Sequence, residues 1–306
     1  MQSIATLTVN PTIDVAYDVG AIAPLVKTRT QGESYDPGGG GLNVARVFIR
    51  LGGNARCVYL SGGSTGPALD GLLDLHCLPR LRVPIAGPTR IATTVHDHAT
   101  GEEYRFVPPG PEIGEDEWRA CLDALATIEC EMLVASGSLA PGMPDDFYAR
   151  VTEVMAARGI GVALDTSGKA LAEAVAAGGL LLVKPNLKEF KELTGVSENE
   201  PQVICKAAEA LVKDGKAQIV AVTLGQDGAV LACAGMTKFL PGHDIVAQSA
   251  VGAGDSFVAA MVHALARGCA VEEAFRWGMA GGSAAVLTPG TSLAYPEEIE
   301  RLFEEG

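Results

Sequence analysis

Continuous apolar runs recur along the chain: IATLTV (4–9), CVYL (57–60), MLVAS (132–136), IGVALD (160–165), LLLVKP (180–185) and IVAVTL (219–224). Each gives way to Gly, Pro or Asn and then to helical periodicity. Strands apolar on both faces with helices between them predict an α/β fold, a mainly parallel central sheet flanked by helices. Residues 15–34 and 88–107 differ, alternating polar and apolar positions with turn residues and no helical period. They predict strands of a small second sheet, a lid inserted into one α/β domain spanning 1–306. LNVARVFIRLGG predicts a helix with Val44, Val47, Phe48 and Leu51 on one face, stopped at Gly52. NLKEFKELTG predicts a helix capped by Asn186 and closed by Gly195. Trp277 to Tyr295 is uncharged, yet its glycines and Pro289 predict a buried helix ending in a loop instead of a membrane span.

Composition narrows the function. The 306 residues carry a formal charge of −14 and are 48% hydrophobic. That hydrophobic content excludes a disordered tail protein. The negative field repels nucleic acid and anionic membranes, so neither is an expected partner, and any anionic ligand needs local basic residues. Seven cysteines without a C-x-x-C pair predict reduced thiols in the cytoplasm. The opening MQSIATLTVNPTID lacks the basic and continuously apolar regions of a secretory signal.

Four segments suit chemistry. Gly38, Gly39, Gly40 and Gly41 precede the first predicted helix, where bare backbone N–H groups admit a ligand closely; a flexible turn is the plain alternative. In Ser249-Ala250-Val251-Gly252-Ala253-Gly254-Asp255-Ser256, two glycines open an apolar helix and Asp255 sits in its first turn. That aspartate reads equally as a helix-start charge and as a base taking a proton from an attacking hydroxyl. Asn186 and Glu189 share a helix face, as a capping box or as oxygen donors that hold Mg²⁺ through water. Thr223-Leu224-Gly225-Gln226-Asp227-Gly228 follows a strand at the sheet's ligand-binding edge, where a simple turn would look the same. Gly62-Gly63-Ser64-Thr65-Gly66 matches an esterase elbow, with His243 or His263 as a triad partner, but no HGGG-type segment accompanies it. His96 and His98 are spaced as a same-face pair and read as lid-surface residues.

No G-x-x-x-x-G-K-[ST] loop occurs, so any nucleotide needs another cradle. The ordered set GGGGLNVAR, KPNLKE and SAVGAGDSF, with NPTID before it and GMAGGSAAVLTPGT after it, resembles the signatures of the ribokinase-like (PfkB) sugar kinases over the whole chain. TRI (89–91) and GEEYRFVPPG (101–110) are similar to the lid of the branch acting on fructose 6-phosphate. Gly40 stands where kinases of fructose 1-phosphate and tagatose 6-phosphate usually carry Lys, which makes those activities the alternatives. A non-catalytic sugar-phosphate sensor ranks lower.

The resemblance implies ATP-dependent phosphorylation of fructose 6-phosphate at C1, with Asp255 as base and the amides of Gly252, Ala253 and Gly254 as the anion hole. Asp14, Gly38, Gly39, Gly40 and Asn43 would bind the sugar, with Ser138 close by. Arg90, Arg105 and Lys27 would hold its phosphate. Independently, Lys27 and Arg29 on one predicted lid strand and Arg90 and Arg105 on the other concentrate positive charge in an acidic protein, and arginine forks match phosphate. Arg29 reads as a solvated lid charge. Lys184, Asn186, Thr223, Gly225 and Gly228 would surround ATP, and Asn186 with Glu189 would lie near Mg²⁺. A monovalent cation, potassium, is implied at Ser249, Val251, Ala285, Thr288, Gly290 and Ser292. A lid sheet with one apolar face predicts a homodimer formed lid to lid.

Overall fold

The computed structural model describes residues 3–249, 251–288 and 292–306. Its strands in chain order are β1 (Ser3–Thr8), β2 (Thr12–Val19), β3 (Gln31–Gly38), β4 (Asn54–Gly62), β5 (Arg80–Ile85), β6 (Arg90–Asp97) and β7 (Glu102–Phe106). There follow β8 (Met132–Ser136), β9 (Gly161–Asp165), β10 (Leu180–Val183), β11 (Ala217–Thr223), β12 (Ala229–Cys233) and β13 (Met236–Leu240). The helices are α1 (Gly40–Arg50), α2 (Gly66–Leu75), α3 (Glu115–Thr127), α4 (Phe147–Ala156) and α5 (Gly168–Ala177). The remaining helices are α6 (Leu187–Thr194), α7 (Pro201–Lys213), α8 (Ala253–Ala266), α9 (Val271–Val286) and α10 (Pro296–Glu305).

The large sheet runs β13-β12-β11-β10-β9-β8-β1-β4-β5. Every apolar run named above lies in it, and pairing is parallel from β5 to β11. Only β12 and β13, at one edge, pair antiparallel. Side chains of both sheet faces are buried, in two cores. One gathers Leu42, Phe48, Leu69, Phe257, Phe275 and Ile299 from α1, α2, α8, α9 and α10. The other gathers Trp118, Phe147, Leu171, Phe190 and Ile204 from α3 to α7. This two-sided burial is what a continuous apolar strand requires.

The second sheet has the order β3-β2-β6-β7. Its strands begin and end a few residues outside the alternating stretches, at Thr12 and Gly38, because β1 runs almost directly into β2 and β3 runs directly into α1. The joint between lid and body is therefore Asn10–Thr12 on one strand and the glycine run on the other. One correction concerns Lys27 and Arg29, which lie in the loop between β2 and β3 and on no strand. Asp18 pairs with Gln31 across a register shift, and residues 20–30 have no partner strand among the described residues. Asp97 holds this loop's base by accepting a hydrogen bond from the Ile22 N–H at 3.1 Å.

Both helix expectations hold. Val44, Val47 and Phe48 are fully buried, and α1 ends at Leu51, just before Gly52. Asn186 caps α6, and Gly195 closes it in the left-handed region. Trp277 belongs to α9, and among the described residues no helix is long and apolar enough to cross a membrane.

Candidate active site

Helix α8 begins after Gly252, whose φ of +72° turns the chain sharply into it. Its first N–H groups have no intrahelical acceptors and form the positive end of the helix dipole. Asp255 occupies this first turn. Its Oδ2 accepts a hydrogen bond from Asn43 Nδ2 at 2.9 Å, and its Oδ1 accepts one from Ser136 Oγ at 3.5 Å. Burial, followed by repulsion from Asp165, pushes its pKa from 3.8 up to about 6, against the pull of Asn43, Lys184 and Ser136. A carboxylate held this close to neutrality is suited to accept a proton.

Lys184, at the end of β10, is buried and sits 3.1 Å from Asp165 Oδ1 at the end of β9. A Cβ on Gly254 would lie 3.3 Å from the Lys184 ammonium and 3.8 Å from Asp165, so α8 starts directly against this pair. Ser136 and Asp165 were not anticipated from the sequence, although each is the final residue of an apolar parallel strand, the edge where α/β ligands bind. Ser138, expected near the sugar, is exposed two residues further on.

The glycine run is shaped by its own neighbours. A Cβ on Gly38 would fall 2.0 Å from Asp14 Oδ2, on Gly40 2.1 Å from Ser136 Oγ, and on Gly41 2.5 Å from the Leu7 carbonyl. Gly39, with φ of +117°, opens α1 and would meet Thr8. Bare backbone here lets Asp14 and Ser136 reach the cleft. Asp14 also titrates near 6, raised by burial and lowered chiefly by the Arg105 charge, with the Thr12 hydroxyl assisting.

The basic residues divide. Arg90 donates to the carbonyls of Asn10 at 2.8 Å and Pro108 at 3.0 Å, pinning the lid joint. Arg105 lies on exposed β7, its side chain without a hydrogen bond or ion pair among the described residues, and acts electrostatically on Asp14. Lys27 is exposed in its loop.

On the other side of Asp255, an isolated parallel bridge joins Asn186 to Thr223, placing the ends of β10 and β11 together. Gly225 and Gly228 both have positive φ. Gly228 is required by packing, since a Cβ there would fall 2.0 Å from the Leu240 carbonyl. Asn186 and Glu189 form a reciprocal capping box with bonds of 2.9 and 2.8 Å. Burial raises the Glu189 pKa. Further along, Val251 N–H donates to Ser249 Oγ at 3.2 Å, and Thr288 Oγ1 donates to the carbonyls of Ala285, at 2.7 Å, and Ser292. Gly290 lies outside the described residues.

The other motifs do not assemble. Ser64 is exposed, while His243 bonds Ser283 and Leu302 and His263 packs on Phe48, so no triad forms among the described residues. His96 and His98 contact each other edge to face, and no group of three metal-ligating side chains occurs among the described residues.

A helix opened by Gly252, a buried carboxylate in its first turn and a small second sheet joined to the body at the glycine run make up the site. Residues 7–298 match the pfkB family carbohydrate kinase profile. The chain belongs to the pfkB family of carbohydrate kinases. It is 40% identical over 305 residues to ATP-dependent 6-phosphofructokinase isozyme 2 of Mycobacterium tuberculosis (strain ATCC 25618 / H37Rv), covering 98% of this chain and 89% of that protein. It is 39% identical to the protein of the same name from Escherichia coli (strain K12), covering 99% and 98%. A 1-phosphofructokinase of Bacillus subtilis (strain 168) is more distant, at 30% identity over 99% and 98%. The crystal structure of phosphofructokinase-2 from Escherichia coli in complex with potassium superposes with a TM-score of 0.95 at 39% identity, over 100% and 99% of the chains. The same protein has been solved with fructose-6-phosphate and as a tetrameric inhibited form, each with a TM-score of 0.92 at 38% identity over 100% and 99%. The fold is ribokinase-like: ribokinase from Thermotoga maritima matches with a TM-score of 0.77 at 23% identity over 99% and 100%.

Proposed function

We propose that the protein transfers the γ-phosphoryl group of ATP to the C1 hydroxyl of fructose 6-phosphate, releasing fructose 1,6-bisphosphate and ADP. The observation that carries the reading is Asp255, poised near pH 6 at the start of α8 and bonded to both Asn43 and Ser136. Relatives at 39–40% identity carry the 6-phosphofructokinase name, against 30% for a 1-phosphofructokinase. Gly40 supports the same choice of sugar through the resemblance, since kinases of the other two sugar phosphates usually carry Lys there; here a Cβ would fall 2.1 Å from Ser136 Oγ.

Asp255 takes the C1 hydroxyl proton as the oxygen bonds to phosphorus and the bridging oxygen leaves with ADP. The free amides of Gly252, Ala253 and Gly254 and the charge of Lys184 stabilise the transferring group. Asp14 and Asn43, beside Gly38 and Gly39, orient the sugar hydroxyls, with Ser138 at the rim. Arg105 takes the 6-phosphate, with Lys27 and Arg90 as further basic residues of the small sheet and its loop. Thr223, Gly225, Gly228, Lys184 and Asn186 line the nucleotide side.

Two ions fit the residues present. Glu189 Oε1 has no protein partner among the described residues, so Asn186 and Glu189 would hold Mg²⁺ through water, where it would neutralise phosphate charge. The hydroxyl and carbonyl oxygens of Ser249, Val251, Ala285, Thr288 and Ser292 would suit potassium.

We place the lid as part of one α/β unit and its apolar face in a homodimer. Tyr35, Ile91, Tyr104 and Phe106 are exposed on it, Phe106 by 60%, and an open apolar sheet favours cover. Sedimentation of the sugar-free protein should return a dimer that Phe106→Asp converts to monomer; a monomer in both would reject the lid interface. The seven free cysteines suit the cytoplasm.

The sugar-phosphate assignment predicts that Arg105→Ala raises KM for fructose 6-phosphate about 10- to 100-fold, the worth of a charge-assisted hydrogen bond. The KM for ATP should stay unchanged. Equal effects on both substrates would remove Arg105 from the phosphate site.

A further inference from the structure

Arg46 follows Asn43 by three residues on α1, so the two side chains leave one helix face. It is only 5% exposed. One terminal nitrogen, Nη2, donates to Asp36 Oδ1 at 2.8 Å, and Nη1 donates to the Pro37 carbonyl at 3.4 Å. Asp36 and Pro37 are the residues just before the glycine run, and the β2–β3 register sets Asp36 opposite Asp14 and Pro37 opposite Ile13. His76, at the end of α2, approaches the same Asp36 oxygen at 3.7 Å.

A buried ion pair is seldom needed for stability alone, since apolar groups of the same shape do as well. Here two carboxylates face each other across a strand pair, an arrangement that costs free energy unless one charge is offset. Burial and Arg46 keep His76 predominantly neutral at pH 7, so it does not replace the arginine. The charges acting on Asp14 come from Arg105 on β7, Arg90 on β6, Asp36 on β3 and Arg46 on α1.

We infer that Arg46 is a positioning residue for sugar binding: by holding Asp36 and the Pro37 carbonyl, it fixes the Asp14 carboxylate over Gly38 and offsets the second acid of the pair. Helix α1 then sets the sugar-side acid through Arg46 and the base Asp255 through Asn43. The inference rests on the reading of Asp14 as a sugar ligand.

The test is equilibrium binding of fructose 6-phosphate without nucleotide, from about pH 5 to 8, for wild type, Arg46→Met, Arg46→Lys and Asp36→Asn. Titration of the ligand's own phosphate is common to all four and drops out of the comparison. Arg46→Met should bind about tenfold more weakly at pH 7, with the acid limb of affinity moved up by about one pH unit. Asp36→Asn should move that limb down, and Arg46→Lys should keep its position while losing part of the affinity. An Arg46→Met protein that only melts earlier, with wild-type affinity at every pH, would overturn the inference. Should that variant fail to fold, an unmoved limb in Asp36→Asn does the same. Asp14→Asn separates the two readings: wild-type affinity there removes the sugar-ligand role itself, whereas lost affinity with unaffected Arg46 and Asp36 variants removes only the role of Arg46.

Discussion

Asp255→Asn is expected to lower kcat about 10³-fold while making the protein more stable. The loss follows from removing the only proposed proton acceptor, with general-base catalysis contributing about 10²- to 10⁴-fold. The gain follows from linkage. Asp255 has a folded-state pKa of about 6 against an ordinary 3.8. Between those values the folded protein holds a proton that the unfolded chain has released, so stability falls as pH rises through this window. The cost of the ionised form is complete above about pH 6 and absent below about pH 4. Asparagine mimics the neutral acid, can still accept from Asn43, and no longer repels Asp165. A gain of about 1–3 kcal/mol at pH 7 is therefore expected from thermal or urea unfolding. In the wild type the same titration should give kcat an acid limb near pH 6. An asparagine variant that is both inactive and less stable would indicate that Asp255 is mainly structural.

Lys184→Met is the second large effect. The lysine is buried and paired with Asp165 at 3.1 Å, so its loss leaves a carboxylate uncompensated, at a cost of about 3–5 kcal/mol. Lys184 also pulls the Asp255 pKa down, and without it the acid limb of residual activity should move to higher pH. Adding Asp165→Asn should restore most of the stability and little of the activity, because the transferring phosphate keeps the helix-start amides but still lacks the cation. Full rescue of turnover by the double variant would show that Lys184 serves only to neutralise Asp165.

The layers of the fold were legible because strands buried on both faces have nowhere to place polar residues, as IATLTV and LLLVKP show. The antiparallel edge of β12 and β13 was less visible: two of the five residues of β13 are exposed and none is fully buried, and its MTKFL alternates weakly. Alternation also misplaced Lys27 and Arg29, where Gly20 and Pro24 had already broken the strand. In the site, residues in glycine-rich strings stood out, and Asp255, Asn43 and Lys184 do meet in space. Ser136 and Asp165 stayed hidden because a serine or aspartate ending an apolar strand looks like a turn signal. Their role comes from the parallel register that lines up β8, β9 and β10 beneath α8. Arg46 was equally silent, since a helix pattern does not show which charged residue is buried.

The central claim is tested most directly by ADP release from ATP and Mg²⁺ with fructose 6-phosphate, fructose 1-phosphate and tagatose 6-phosphate in parallel, compared as kcat/KM. Fructose 6-phosphate should be preferred by at least about tenfold. Preference for either other sugar would contradict the substrate argument from Gly40 and leave the kinase reading standing. Binding of all three without ADP release would contradict catalysis by Asp255 itself.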